Sequence, residues 1–187
     1  ELHPKEEVID FGILIKQLDT NVYGTFHDQK HYFSFTCEMP LSKWHIDDQT
    51  CFAQNEQNAI HMFSLESNHT RTINLPHPPR GWCIIPKTSI ILHWNQLTLY
   101  STDFSKDVHK ILRGHVARVL SGDASTSIAV TGDHFGHMCI WYVASWTCHH
   151  DIKVSHEPCH EVKLCKDERV CVRNTTSLSV YNVTSGK

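Results

Sequence analysis

Residues 147–154, TCHHDIKV, put Cys148, His150, Ile152 and Val154 on one side of an extended chain and His149, Asp151 and Lys153 on the other. That is the pattern of a strand with one face buried and one face wet. The same period of two recurs in KHYFSFTC, SIILHW, QLTLYS, TSIAVTG, HMCIWYV, RVCVR and SLSVYNV, each run closed by polar or Gly/Pro residues. Apolar residues at helical spacing are nearly absent. Short strands of this kind bury their faces only by stacking sheet on sheet, so the expected class is all-β.

The strands also keep a beat. Phe63, Tyr100, Trp141 and Tyr181 close successive polar-turn-and-strand segments at intervals of 37, 41 and 40 residues. A second set, His77, His115 and His156, runs about 25 residues ahead of the aromatics at intervals of 38 and 41. Two sets in step point to a repeated supersecondary unit of about 40 residues.

Composition narrows the function. With 40% hydrophobic and 20% charged residues in 187, the chain is globular and long enough for a sizeable core. A net charge of -3 gives no basic field for nucleic acid. Runs such as FGILI and SIIL are of strand length, so no transmembrane segment is expected, and membrane association would come only through partners. The opening ELHPKEE is not a signal peptide, and the chain reads as a piece of something longer, which removes any targeting information.

The segment ILRGHVARVLSGDASTSIAVTGDHFGHMCIWYV resembles a WD repeat. Gly114-His115 would open the unit, Val119 lie on its first strand, SIAVTGD form the second, Gly136 turn the chain, and Ile140-Trp141 lie on the third. The resemblance implies a β-propeller of four-stranded WD-type blades. It also implies a hydrogen-bonded network among Gly114, His115, Thr131, Asp133 and Trp141. The Asp is the departure, for Phe135 stands six residues before the Trp, where the family's Asp usually falls, and Asp133 is two places early. Tyr142 follows the Trp in place of the family's Asp.

The resulting division is a partial blade over 1–37, whole blades over 40–75, 80–112 and 115–154, and a partial blade over 159–187. Four to five blades form only a partial ring, so further blades or a partner chain are expected to close it.

Against this stands VSHEPCHEVKL, residues 154–164, which contains the H-E-x-x-H pattern of zinc hydrolases. The pattern needs a helix through His156 and His160. Pro158 between them would cost a helix roughly 3 kcal/mol, and an alternating strand precedes it. HEPCH is therefore expected to be a connection entering a new blade. Cys148, His150, His156, Cys159, His160 and Cys165 crowd into 18 residues, but without a paired C-x-x-C knuckle no metal site is expected. The eight cysteines, Cys37 among them, mostly sit within apolar runs and read as free thiols, placing the chain in the cytoplasm. Asn68, Asn174 and Asn182 head glycosylation-type triplets, which belong to a competing reading as a secreted receptor fragment.

No phosphate loop or nucleophile elbow is present, and Asp47-Asp48 and Asp167-Glu168 read as solvated turn acids, so neither catalysis nor a cofactor is expected. The five tryptophans, Trp44, Trp82, Trp94, Trp141 and Trp146, read mainly as packing residues. The expected function is a non-catalytic scaffold that docks proteins or peptides on loops between strands, with Arg80, Trp94, Arg118, His134, Phe135 and His160 as candidate contacts. LHWNQLTLYSTD and CIWYVASWTC are similar to the propeller that follows the BEACH domain in membrane-trafficking scaffolds. A ubiquitin-ligase substrate receptor or adaptor, and a zinc or hydrolytic protein using HEPCH, are the alternatives.

Overall fold

The computed structural model describes residues 5–9, 13–18, 21–26, 32–36, 41–46, 50–55, 59–64, 69–75, 77–95, 98–106, 108–166 and 168–186. For residues 5–36, Ser42, Trp44 and Val108 it describes the backbone alone. Cys37, Asp47, Asp48, Asn68 and Asp167 lie outside the described residues. Every element among the described residues is a strand. The chain divides into two units, Glu1–Pro76 and His77–Lys187.

In the first unit, β1 (Lys5–Ile9), β2 (Ile13–Leu18), β3 (Asn21–Phe26) and β4 (Tyr32–Thr36) pair in chain order into a four-stranded antiparallel sheet. The sequence reading of 1–37 as only part of a blade is corrected by these four strands. Their alternation is weaker, since ILIKQL and NVYGTF mix polar and apolar residues on both sides, so the pattern alone does not resolve four strands. β5 (Leu41–Ile46), β6 (Thr50–Asn55), β7 (Ala59–Ser64) and β8 (Thr70–Asn74) form the second sheet. Cys51, Phe52 and Ala53 are successive and all fully buried, so both faces of β6 are covered.

In the second unit, β9 (Gly81–Ile84), β10 (Ile90–Trp94), β11 (Leu99–Asp103) and β12 (Val108–Leu112) form one sheet. β13 (Val119–Ala124), β14 (Ile128–Asp133), β15 (His137–Tyr142) and β16 (Thr147–Lys153) form the next, followed by three strands, β17 (Glu161–Cys165), β18 (Arg169–Arg173) and β19 (Leu178–Asn182). Strand parity decides which core each side chain enters. Ala129, Cys139 and Trp141 point to one side of their sheet and pack with Leu92, Trp94 and Leu99. Their neighbours Val130, Met138 and Ile140 point to the other side and pack with Val162, Val170 and Val172. The β13–β16 sheet is thus sandwiched between two apolar layers, which burial at about 25 cal/mol per Å² makes the main stabilising term. Four-stranded antiparallel sheets made in chain order and stacked face on face are the blades of a β-propeller, and the fold is all-β.

The repeat is visible in backbone hydrogen bonds. Phe104, Val143 and Val183 each donate an amide to the carbonyl just before the second strand of their sheet, Ser89, Ser127 and Glu168, at 2.8, 2.9 and 2.8 Å. All three side chains are buried. Register from that point places Trp141 opposite Ala129, Phe63 opposite Cys51 and Tyr181 opposite Val170, always the second residue of the second strand. Tyr100 is the exception. Thr102, opposite Ile91, holds that place, and Tyr100 lies two residues earlier on the same side of β11.

Candidate functional site

The polar centre of the β13–β16 sheet is built on Trp141, a donor only, which gives its indole N–H to Thr131 Oγ1 at 2.8 Å. The Thr131 hydroxyl proton is then directed to His115 Nε2, 2.6 Å away. His115 Nδ1–H remains to donate to Asp133 Oδ2 at 3.0 Å. The other carboxylate oxygen of Asp133 accepts the amides of Phe135 and His137, each at 2.9 Å, and so shapes the turn that Gly136 completes at φ 78. Burial acts to raise the Asp133 carboxyl, but the His115 ring and the two amides outweigh it and hold the group below the ordinary carboxylate value. Gly114 lies beside this chain because Trp141 fills its space: a Cβ there would stand 2.7 Å from the indole edge.

Asp133 therefore sits within the bonded chain, although family spacing put it two places early. Its side chain reaches His115 from the end of β14. The resemblance names Asp133 for this network, and only its spacing from Trp141 departs from the family's.

Hydroxyl, imidazole and carboxylate in this order are also the order of a nucleophilic triad. Here Thr131 and Asp133 are both fully buried and the hydroxyl oxygen already holds the indole N–H, leaving no approach for a substrate. The arrangement holds strands together. In Asp133→Ala the His115 N–H and two turn amides lose their acceptor, and at about 1–3 kcal/mol for each buried group left unpaired a large drop in the urea midpoint is expected. A midpoint equal to the parent's would mean that water takes the carboxylate's place.

Corresponding positions in the other sheets carry variants. Asn55, Asn95 and Asn174 stand where Asp133 does, at intervals of 40, 38 and 41 in the order Asn55, Asn95, Asp133, Asn174. Asn55 Oδ1 accepts the Ala59 amide at 2.9 Å and Asn95 Oδ1 the Thr98 amide at 3.0 Å. In the β9–β12 sheet ring and hydroxyl change strands, with His93 in the place of Thr131 and Thr102 in the place of Trp141, His93 Nε2 and Thr102 Oγ1 lying 2.8 Å apart. His77 and His156, in step with His115 along the chain, are exposed.

Of the candidate contact residues, Arg80, Arg118 and His160 hold one equivalent place, immediately before β9, β13 and β17, and all three are exposed. His134 and Phe135 lie beside Arg118, whose carbonyl accepts the His134 amide at 2.9 Å, and Phe135 is 56% exposed. Trp94 is a correction. It is 4% exposed, its ring lying against Gly81 of β9 and Gly122 of β13, where a Cβ would come within 2.5 and 3.0 Å. It belongs to the core and touches no partner.

The HEPCH segment is a connection, since β16 ends at Lys153 and β17 starts at Glu161. Glu157, which would be the base of a zinc hydrolase, accepts the amide and hydroxyl of Thr176 at about 3.1 Å. His160 lies 3.2 Å from the Thr175 hydroxyl, His150 donates to the Thr184 carbonyl, and Cys159 is buried between sheets. The six His and Cys residues of 148–165 are thus dispersed, and among the described residues no three His, Cys, Asp or Glu side chains converge on a metal position. Asn174 is 3% exposed, which bars a glycan on it in the folded chain, while Asn182 Oδ1 caps the amides of Thr184 and Ser185. No described helix is long and apolar enough to cross a membrane.

Compared by sequence, the chain matches no family model and no curated protein. Compared by structure, it is similar to a chain of the mitotic checkpoint complex, at TM-score 0.71 and 14% identity, over 95% of this chain and 59% of that one. It is similar also to the computationally designed Ika8 protein, at TM-score 0.75 and 12% identity, over 97% and 58% of the two chains. The designed Ika4 protein gives TM-score 0.64 at 12% identity, over 78% of this chain and 92% of that one. The chain thus spans under two thirds of the first two, and at such identity likeness carries the fold alone: these residues make up part of a β-propeller.

Proposed function

We propose that this chain is part of a non-catalytic WD-type propeller that docks other proteins or peptides on the end of its sheets where the first strands begin. The observation that carries the reading is the equivalent, exposed placing of Arg80, Arg118 and His160, with His134 and Phe135 beside the middle one. Rigid sheets fix these positions relative to one another within the second unit, and exposed cations along this end, one of them beside an exposed ring, favour a partner with acidic and apolar groups. The bonded chain from Trp141 to Asp133 supports the WD-type assignment, and its inaccessibility supports a non-enzyme. Residues 1–187 act as one propeller segment in this reading, and further blades or a partner chain close the ring. A cytoplasmic site rests on the seven described cysteines being free thiols. Membrane trafficking is the finer assignment, carried only by the two BEACH-type strings.

Alanine at Arg80, Arg118, His134, Phe135 and His160 together is expected to abolish recovery of the proteins that the parent chain captures, with the circular dichroism of the fold unchanged. Ile111→Ala, on the exposed outer strand, is expected to leave recovery intact. Equal recovery with the fivefold variant would exclude this end of the sheets as the docking surface.

A further inference from the structure

Val116 is 75% exposed and Phe135 56%, and both stand at the end of the β13–β16 sheet where its first strand begins. Val116 lies in the connection entering β13, and Phe135 in the turn between β14 and β15. The two loops are braced against each other. The Arg118 carbonyl accepts the His134 amide at 2.9 Å, and His115, next to Val116, bonds to Asp133 at the root of the turn at 3.0 Å. An apolar surface held on braced loops has little ordering left to lose when a partner lands on it. Both faces of this sheet are covered, by β9–β12 on one side and β17–β19 on the other, so the exposure of its loop end is not that of an uncovered sheet face.

The charge around these loops has one sign. Arg118 is exposed two residues after Val116, Arg113 is exposed at the other end of the same connection, and Lys153 donates to the Phe135 carbonyl. The described carboxylates at this end of the second unit are all engaged. Asp133 is fully buried, Asp151 lies 2.9 Å from His137, Glu157 accepts from Thr176, and Glu161 meets Arg173 at 3.0 Å.

We propose that this end of the β13–β16 sheet binds an acidic peptide segment, in which Asp and Glu flank one large apolar side chain. The proposal rests on the docking reading above and adds what docks. The apolar side chain covers Val116 and Phe135 and takes their area out of water. Carboxylates on either side of it meet Arg118 and Arg113, whose planar guanidinium groups each donate two parallel hydrogen bonds to such a group. Lys153 keeps donors to spare after its bond to the Phe135 carbonyl. A basic partner would set like charges against these cations with no unengaged carboxylate to offset them. A single-stranded nucleic acid would need a row of stacking rings along a basic groove, and a chain of net charge -3 with one exposed Phe here supplies neither.

The test selects peptides of about twelve residues from a random phage-displayed library on the folded chain and measures their affinity by fluorescence anisotropy. Expected are peptides with Asp or Glu around a Trp, Phe, Leu or Ile. Their affinity should fall at least about tenfold for Arg118→Glu and for Phe135→Ser, each with the parent's circular dichroism, and should weaken as salt is added. Ile111→Ala, on the outer strand, is expected to leave it unchanged. Charge exchange is the stricter arm: a peptide remade with Lys for Glu is expected to bind Arg118→Glu better than it binds the parent. Selected peptides that are basic or uncharged, affinity indifferent to both variants, a library that returns no binder, or a labelled single-stranded oligonucleotide that displaces the peptides would each overturn the proposal. If the fivefold alanine variant loses its captured proteins while the selected peptides are not acidic, docking at this end stands and the acidic partner falls.

Discussion

Trp141→Ala is expected to be among the most damaging single substitutions in the second unit. Trp141 is 1% exposed and is the largest of its fully buried side chains. Its ring lies in the layer between two sheets with Leu92, Trp94, Ala129 and Cys139, so truncation leaves a cavity that two rigid sheets cannot collapse to fill. Losses of this kind run to about 3–5 kcal/mol. The variant also strips Thr131 Oγ1 of its indole donor. Set against a total stability of about 5–15 kcal/mol for ordinary domains, that loss takes much of what holds the unit folded. Trp141→Phe separates the two contributions. Phenylalanine refills most of the volume and cannot donate, so its urea midpoint, followed by circular dichroism, should fall well short of the alanine variant's loss. Equal losses in the two variants would mean that the hydrogen bond, and not packing, dominates.

Why some of this was legible in the sequence and some not comes down to how local each cause is. Alternation is local: TCHHDIKV is β16 with the first seven of its residues alternately exposed and half-buried, and the helix that H-E-x-x-H requires has no room between Lys153 and Glu161. The repeat was half legible. Phe63, Trp141 and Tyr181 are equivalent, but the turn from Asn95 to Thr98 is one residue shorter than that from Asp133 to His137. Counting by aromatic residues picks Tyr100 because the equivalent place is held by Thr102, which is not aromatic. The resemblance names Asp133, but that its carboxylate meets His115 from the end of β14 is visible only in the folded strand pair.

Trp94 departs from its expected exposed place for a different reason. What buries it is the absence of a side chain at Gly81 and at Gly122, the second of them 28 residues downstream on a neighbouring sheet. No periodicity within one strand reports a clearing made by another. In the sequence Cys171 belongs to the apolar run RVCVR and Cys165 to the crowd of His and Cys at 148–165. Only the register of β17 on β18 brings them together on the outer side.

Between pH 7.5 and pH 5 the chain is expected to lose stability through His93. The ring is 2% exposed, stacks on Tyr100 at 5.0 Å between centroids, and meets the Thr102 hydroxyl at 2.8 Å. Burial first, and then the nearby His109, hold its pKa down to about 3, against 6.5 for an unperturbed histidine. In the folded state His93 therefore stays neutral, while the unfolded chain binds a proton as the pH drops through 6.5. The stabilisation that the neutral ring confers is whole above that pH and is lost progressively as the pH falls towards about 3. One pKa unit corresponds to about 1.4 kcal/mol, so the loss at pH 5 is about 2 kcal/mol. His61, held down by its own burial, acts in the same direction and range. Asp133 acts lower, because a depressed carboxyl keeps its contribution until the pH falls below the ordinary carboxylate value. His93→Phe keeps the stack on Tyr100, gives up the bond to Thr102, and cannot take a proton. Its urea midpoint should start lower at pH 7.5 and then fall less steeply than the parent's on the way to pH 5. Parallel slopes in parent and variant would show that His93 is protonated in the fold, and that its burial is shallower than the packing around Tyr100 and Thr102 implies.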